Sequence, residues 1–219
     1  GQDCTPVRAG LRGHRVSASD NRYASAALSL YARGIRRLAL HAQLLKYRVL
    51  ATRGHLDFIR FIVLTRSRTG SNLLLSFLNG HSDIFCDGEI FARMRGKDPL
   101  VRLGKAFGKQ PRHVLARGFK IFYYHPLDAD GGMLWTSLAD MQDLKVIHLT
   151  RSNILRTLVS RKIAGVQDRW TGTRYDAVGL AARRIHFSIQ ELESGFRQTR
   201  AWETEAEARF RGHSLLRIT

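Results

Sequence analysis

The sequence predicts a three-layer α/β fold in which helices flank a mainly parallel central sheet. Short apolar runs with almost no polar interruption recur along the chain, which is typical of strands buried on both faces of a parallel sheet. A loop and a segment with helical spacing follow most of these runs. The 219 residues, 44% of them hydrophobic, are enough for a single domain with a sizeable core.

The first strand, loop and helix lie around residue 66. Residues 58–65 (FIRFIVLT) form the apolar run of a buried strand, and the loop RSRTG follows it directly. Residues 71–79 (SNLLLSFLN) then have the spacing of a helix, which Gly80 is suited to end.

The same order of elements recurs further along the chain. Two more strands are predicted over 117–124 and 144–150, and two more helices over 131–141 and 153–164. Asn153 is the predicted N-cap of the second of these helices. A long charged helix over 175–209, with a break near Gly195, then precedes a last strand over 213–219. In such a sheet, ligands bind at the carboxyl ends of the strands.

Residues 1–57 differ from the rest and are predicted to be a basic helical extension of the α/β domain at 58–219. They carry ten Lys and Arg against three acidic residues. A helix-permissive run from Ala24 to Leu50 has a rough apolar side. Such a helix could pack on the domain or lie on an anionic membrane surface, and the sequence leaves both open.

The ends of the chain and its cysteines bear on its origin. The chain begins with Gly1 and stops at Thr219 inside a predicted strand, so we expect the domain to lack its C-terminal end. Two distant cysteines, Cys4 and Cys86, make no disulfide framework, and no Cys/His cluster has the spacing of a metal site. The apolar stretch 24–32 is too short to span a bilayer. We therefore expect a cytoplasmic protein without a bound metal.

The charge points to anionic partners. Thirty-six Lys and Arg against eighteen Asp and Glu give a formal net charge of +18. Nucleic acid, a membrane surface, or a ligand bearing phosphate or sulfate would each match that balance.

The loop after the first strand has the residue types of an anion-binding site. Its members are hydroxyl, glycine, arginine and amide residues at a strand-to-helix turn: Arg66, Ser67, Arg68, Thr69, Gly70, Ser71 and Asn72. Free N–H groups at a helix N-terminus point at an anion, and a glycine lets the backbone approach it. The loop lacks the lysine and first glycine of G-x-x-x-x-G-K-[ST], so hydrolysis of ATP or GTP is disfavoured.

A second set of anion-binding residues follows the strand at 144–150. Arg151 stands at the strand end, and Ser160 shares a helix face with Arg156. An arginine beside a hydroxyl suits a second phosphate group, although a solvated arginine and a surface serine would give the same pattern.

Together these two motifs resemble those of sulfotransferases that use 3′-phosphoadenosine 5′-phosphosulfate (PAPS). The turn RTGSN at 68–72 resembles their 5′-phosphosulfate loop, and 151–160 resembles their 3′-phosphate motif. The stretch 58–170 is similar to the bacterial carbohydrate sulfotransferases, the group that includes glycolipid and nodulation-factor enzymes. The resemblance implies a P-loop-like fold, PAPS as sulfuryl donor, a carbohydrate or glycolipid acceptor, and no metal.

The resemblance also implies roles for individual residues. Arg68 takes the place of the cation beside the transferring group, residues 66–72 surround the 5′ side of the donor, and Arg151 and Ser160 hold the 3′-phosphate. Asn72 departs from the family pattern, which has a hydroxyl there.

The general base is expected at Glu89. The segment DGEIF at 87–91 resembles the Gly-Glu element of the family, although a surface glutamate in a turn would look the same. His125 is a second candidate for the base or a plain turn residue, and Lys120 either points to the site or marks a sheet edge. Trp170 could stack on a ligand or belong to the core.

Two other functions compete with sulfuryl transfer. The charge and the basic extension would also suit a protein that binds nucleic acid or a membrane surface. The sequence contains no motif of the kind that recognises specific nucleic-acid sequences. A truncated sulfotransferase could instead bind PAPS without turnover. Residues 92–112 are predicted to be a variable loop that selects the acceptor.

Overall fold

A computed structural model of the chain describes residues 53–167 and 185–219, and in addition 45 and 49–51. The chain divides into two compact units, residues 1–49 and residues 50–219. All features below belong to the second unit. The predicted helix at 24–50 lies almost entirely outside the described residues, and Trp170 lies wholly outside them.

Five strands form one parallel sheet, which confirms the predicted α/β class. In chain order they are β1 (Ile59–Thr65), β2 (Ile84–Asp87), β3 (Ala116–Phe122), β4 (Lys145–Leu149) and β5 (Ser214–Ile218). Their order across the sheet is β2-β3-β1-β4-β5, and every neighbouring pair is parallel. The central strand β1 is the one that the sequence identifies by its apolar run, because it is covered on both faces.

Five helices accompany the sheet in the described parts of the chain: α1 (Ser71–Leu78), α2 (Pro99–Ala106), α3 (Gly132–Asp140), α4 (Ile154–Gln167) and α5 (Ile189–Arg209). The prediction of α1, α3 and α4 is confirmed. Asn153 caps α4 as expected, because its Oδ1 accepts a hydrogen bond from the N–H of Arg156 at 2.9 Å.

The prediction for the long helix is partly wrong. Residues 185–188 are not helical, and α5 begins at Ile189 after a capping box of Ser188 and Glu191. The expected break near Gly195 is absent, and α5 runs through that position as 21 continuous residues. Gly195 serves close packing instead, because a Cβ there would lie 2.8 Å from the side chain of Leu158 on α4.

Two elements, β2 and α2, were not predicted from the sequence. The strand β2 has only four residues and occupies one edge of the sheet. The helix α2 interrupts the predicted loop at 92–112, and its start carries a clear signal: the Asp98 side chain accepts from two backbone N–H groups and Pro99 is the first helical residue.

Apolar side chains fill both faces of the sheet. On one face, Ile62 and Leu64 of β1 pack in a large cluster with buried residues of α2, α3 and α5. On the other face, Phe61 and Val63 of β1 pack in a smaller cluster with side chains of α1. The alternation along β1 therefore assigns each side chain to a layer, which decides where residues just beyond the strand point.

The topology places a crevice beside the carboxyl end of β1. From β1 the chain continues to β2 at one edge of the sheet, whereas from β4 it continues to β5 at the opposite edge. Because β1 and β4 are neighbours, the loops that follow them diverge, and a crevice opens between them. Among the described residues, no helix has the length and apolarity that crossing a bilayer requires.

Candidate functional site

A cavity of about 640 Å³ lies at the carboxyl ends of β1, β3 and β4. Below it is called the donor cavity, after the sulfuryl donor that the sequence resemblance implies. Residues predicted from separate parts of the sequence line it together: Ser67, Arg68, Gly70, Ser71, Asn72, Glu89, Lys120, His125, Arg151 and Ser160. Of the predicted site residues, Arg66 and Thr69 do not line it.

The β1–α1 loop (residues 66–70) has an unusual backbone. Arg68 and Gly70 both have positive φ angles, of 72° and 95°. Thr69 holds the turn from within, because its hydroxyl donates to the carbonyl of Arg66 at 3.0 Å and lies 2.8 Å from the hydroxyl of Thr65. Thr69 therefore shapes the loop rather than facing the cavity.

Gly70 is the N-cap of α1 and leaves the start of that helix open. Among the described residues, no side chain caps the helix and its first turn contains no acidic residue. The N–H of Leu73 already donates to the carbonyl of Gly70 at 2.9 Å. The N–H groups of Ser71 and Asn72 come before any acceptor of the helix, so they and the positive end of the helix dipole favour an anion beside Gly70 and Ser71.

Ser67 adds a buried polar group to the same wall. Its backbone N–H donates to Tyr124 Oη at 3.3 Å. Its hydroxyl is buried and has no hydrogen-bond partner among the described residues, although it belongs to the lining of the donor cavity. A buried hydroxyl without a partner costs free energy, which a ligand oxygen could recover.

The two anion-binding motifs contact each other directly. Arg68 Nε donates to Ser160 Oγ at 2.8 Å across 92 residues of sequence. Arg151 Nη1 donates to the carbonyl oxygen of Arg68 at 3.1 Å. The end of β4 and the middle of α4 are thus joined to the β1–α1 loop, and two guanidinium groups and a hydroxyl lie close together.

Arg66 lies elsewhere. Its guanidinium hydrogen-bonds to Thr199 Oγ1 and lies 5.8 Å from the ring centroid of Trp202, both on α5. The alternation of β1 explains this, because residue 66 continues the side of Ile62 and Leu64. Burial lowers the pKa of Arg66 below its usual value. The structure therefore places this predicted ligand residue between the loop and α5, outside the donor cavity.

Glu89 belongs to a chain of polar contacts across the cavity. Lys120 Nζ lies 2.9 Å from Glu89 Oε1 and donates to Asn72 Oδ1 at 2.6 Å. Lys120 is almost fully buried, and β3 is an interior strand. The structure therefore favours a side chain that faces the site over one that marks a sheet edge. It connects the start of α1 to the carboxylate.

His125 stands beside Glu89 but is turned away from a proton-accepting role. Its Nδ1 accepts a hydrogen bond from the backbone N–H of Phe122 at 3.2 Å, and its Nε2 lies 3.9 Å from Glu89 Oε2. Burial lowers the pKa of His125 to about 4, although the nearby Glu89 opposes this shift. At neutral pH the ring is therefore neutral, with its proton on Nε2.

The β2–α2 loop (residues 88–98), which carries Glu89, is held by side chains from elsewhere. Arg102 on α2 donates to the carbonyl oxygens of Ile90 at 2.6 Å, Arg93 at 2.9 Å and Met94 at 3.3 Å. From the opposite side, Asp128 accepts from the N–H groups of Met94 and Arg95, and these bonds lower the pKa of Asp128.

The charge of the donor cavity is strongly positive. Its described lining contains one carboxylate, that of Glu89, against five cations: Arg68, Arg93, Lys120, Arg151 and Arg161. The sequence did not single out Arg93 or Arg161. Arg161 follows Ser160 directly and could have been found from that motif, whereas Arg93 lies within the predicted loop 92–112, where nothing distinguishes it from the other residues. A ligand with several negative charges matches such a lining.

Chemically, this arrangement can bind a polyanion between two anion-binding motifs and present a carboxylate to a neutral co-substrate. No group of three or more His, Cys, Asp or Glu in the described parts of the chain could hold a metal ion. A comparison with models of protein families found none that matches this chain, and a comparison with curated proteins found no significant match.

Proposed function

We propose that this protein is a sulfotransferase, which moves a sulfuryl group from PAPS to a hydroxyl of a carbohydrate or glycolipid. The observation that carries the proposal is the direct contact between the two motifs, Arg68 Nε to Ser160 Oγ at 2.8 Å, in one cavity with Glu89. The sequence resemblance implies that these motifs bind opposite ends of the same donor, so their direct contact in one cavity supports the proposal.

The residues present suit both phosphate-bearing ends of PAPS. The uncapped start of α1 and the unpartnered Ser67 hydroxyl would receive the 5′-phosphosulfate. Arg151 and Ser160 would hold the 3′-phosphate. The clustered cations offset the charge of the donor, a task for which many phosphoryl-transfer sites use Mg²⁺.

The reaction is a single displacement at sulfur. The acceptor oxygen forms a bond to sulfur as the bond from sulfur to the 5′-phosphate oxygen breaks, and 3′-phosphoadenosine 5′-phosphate leaves. Glu89 accepts the proton of the attacking hydroxyl. Arg68 and the N–H groups of the loop stabilise the negative charge that builds on the leaving oxygen.

Glu89 is a better base than His125 in this arrangement. The Nδ1 lone pair of His125 already accepts from a backbone N–H, and its Nε2 carries the proton. The Glu89 side chain is 37% exposed, so solvent and an acceptor can reach it. Lys120, 2.9 Å away, holds one carboxylate oxygen and leaves the other to the acceptor.

Transfer of radiolabelled sulfate from PAPS tests the proposal. The protein is incubated with PAPS and a panel of neutral and acidic oligosaccharides and glycolipids, and release of 3′-phosphoadenosine 5′-phosphate is measured in parallel. Label in a glycan supports the proposal. Tight donor binding without transfer would indicate the inactive alternative, and salt-sensitive binding of RNA or anionic vesicles without donor binding would favour the general polyanion-binding function.

A further inference from the structure

A second cavity of about 360 Å³ shares Tyr124 and His125 with the donor cavity. It is called the aromatic cavity below. The end of β3, the start of α3 and the C-terminal half of α5 form it. Its size lies within the range of small-ligand pockets. Because His125 Nε2 lies 3.9 Å from Glu89 Oε2, a ligand here would be close to the proposed base.

Five Phe, Tyr and Trp side chains line the aromatic cavity: Tyr123, Tyr124, Trp135, Trp202 and Phe210. The polar atoms of two of them are already engaged, since Tyr123 Oη lies 2.7 Å from His148 Nε2 and Trp135 Nε1 donates to the carbonyl of His125 at 2.9 Å. Both rings therefore contribute apolar surface to the cavity. Trp202 packs against Tyr124 with their ring centroids 5.2 Å apart, which extends that surface.

The polar groups of the aromatic cavity differ from those of the donor cavity. Its described lining contains two carboxylates, Asp130 and Glu205, and one guanidinium, Arg209. Arg209 Nη2 donates to Glu205 Oε1 at 2.8 Å, and the three side chains lie at the exposed rim. A slightly acidic cavity does not suit the polyanionic donor.

A cationic ligand is disfavoured as well. Cations already lie near both tryptophan rings: the Arg209 guanidinium is 5.6 Å from the Trp135 ring centroid, and the Arg66 guanidinium is 5.8 Å from that of Trp202. A further cation on these rings would meet like charge at short range. Apolar ring faces beside carboxylate and guanidinium groups suit an uncharged ligand with an apolar face and several hydroxyls, which is the chemistry of a pyranose.

We propose that the aromatic cavity binds a neutral sugar ring of the acceptor, next to the sugar whose hydroxyl reaches Glu89. The apolar face of the ring stacks on the aromatic side chains, and its hydroxyls bond to Asp130, Glu205 and Arg209. As an acceptor site this rests on the proposed sulfuryl transfer. It makes the substrate a disaccharide or longer glycan with an uncharged ring beside the reacting one.

Tryptophan fluorescence tests the proposal directly, because two of the three tryptophans of the chain line this cavity. The third is removed as Trp170→Phe in every protein used. Glucose-, galactose- and mannose-terminated neutral disaccharides are titrated one by one. We expect a saturable change with at least one of them, weakened about tenfold in Glu205→Gln, equivalent to about 1.4 kcal/mol. Glu193→Gln, the same change on an exposed position of α5, should leave binding unchanged.

Several outcomes would overturn the proposal. They are no saturable change with any disaccharide, equal binding in Glu205→Gln, or saturable binding of tetramethylammonium in place of sugar. Trp202→Leu provides a second variant, whose fold is checked by circular dichroism and whose sugar binding should be lost. Titration of the same proteins with 3′-phosphoadenosine 5′-phosphate separates the donor assignment from the sugar site. Absence of nucleotide binding would refute the donor assignment and leave the sugar result valid. Nucleotide binding without sugar binding would refute only the present inference.

Discussion

The two halves of the donor cavity are held in place in different ways. On the donor half, Arg68 donates to Ser160, and Arg151 donates to the carbonyl oxygen of Arg68. The loop between β1 and α1 is fixed by its own Thr69. On the base half, Glu89 lies on a loop that depends on remote side chains, Arg102 and Asp128. The groups proposed to bind the donor thus position each other, whereas the loop that carries the proposed base is held from outside the cavity and Lys120 contacts the Glu89 carboxylate from within it.

This difference teaches how function should respond to substitution. Changes on the donor half should alter donor affinity, since the residues altered are the ones that would touch it. Changes on the base half should alter the rate of transfer and leave donor affinity intact.

The largest effect is expected from Glu89→Gln. The amide keeps the size of the side chain but cannot accept the acceptor proton, so kcat should fall by about 10²–10⁴. The affinity for 3′-phosphoadenosine 5′-phosphate, measured by calorimetry, should stay within about twofold. A fall in donor affinity as large as the fall in kcat would assign Glu89 to the donor half, and unchanged kcat would direct attention to His125.

A smaller effect on the same quantity is expected from Arg102→Ala. Loss of three bonds to the carbonyls of the β2–α2 loop should let Glu89 move, and kcat should fall by about 10–100-fold without loss of donor affinity. Free guanidinium ion should restore part of the rate, which a general loss of stability would not allow. Lys105→Ala, an exposed cation on the same helix, is the matched control and should behave like wild type.

The same division explains what could be predicted from the sequence. The donor half lies in continuous strand–loop–helix segments whose apolar periodicity and turn residues are local, so its residues and their meeting point follow from the α/β topology. The base half depends on β2, which has only four residues, and on contacts 34 residues apart such as that of Asp128 with Met94. No local pattern encodes those contacts. The Asp98-Pro99 start of α2 is a local signal in the sequence, and it predicts a helix that includes Arg102.

Placement of side chains within the donor half was less predictable than its location. The loop composition indicates that Arg66 and Thr69 belong to an anion-binding turn, but it does not tell which way each side chain points. The alternation of β1 directs Arg66 toward α5, and the positive φ of Arg68 and Gly70 turns the chain so that Thr69 bonds inward. The side of Arg66 could have been read from the alternation of β1, whereas the positive φ of Arg68, which is not a glycine, has no signature in its residue type.

The free energy of unfolding of the protein should depend on pH through His125, which lies beside Glu89. Its pKa is about 6.5 in the unfolded chain and about 4 in the fold, so between these values the unfolded chain binds a proton that the fold does not. The free energy of unfolding should therefore fall as the pH drops from about 6.5 to about 4, by up to about 3 kcal/mol from this residue. The free energy of unfolding of His125→Asn, measured by urea unfolding, should decrease less over the same pH range. The same decrease with pH in both proteins would contradict this role of His125.

The smallest effect concerns the backbone of the donor half. Gly70 has φ of 95° and open space around its Cβ position, so Gly70→Ala should cost about 1–2 kcal/mol through strain alone. Gly104→Ala also has open space, but it lies inside α2 without a positive φ and should stabilise the protein by about 0.5–1 kcal/mol. Urea midpoints of the two variants check the opposite signs, and an unchanged or raised midpoint of Gly70→Ala would argue against strain at Gly70.

The central claim is that two separate motifs bind the two ends of one donor, and calorimetric titration tests it most directly. We expect 3′-phosphoadenosine 5′-phosphate to bind with one-to-one stoichiometry and adenosine monophosphate to bind far more weakly. Arg68→Ala and Arg151→Ala should each weaken the former by about 10–100-fold. Equal binding of the two nucleotides, or binding that merely fades with salt in wild type and variants alike, would contradict the account and leave a general polyanion-binding surface in its place.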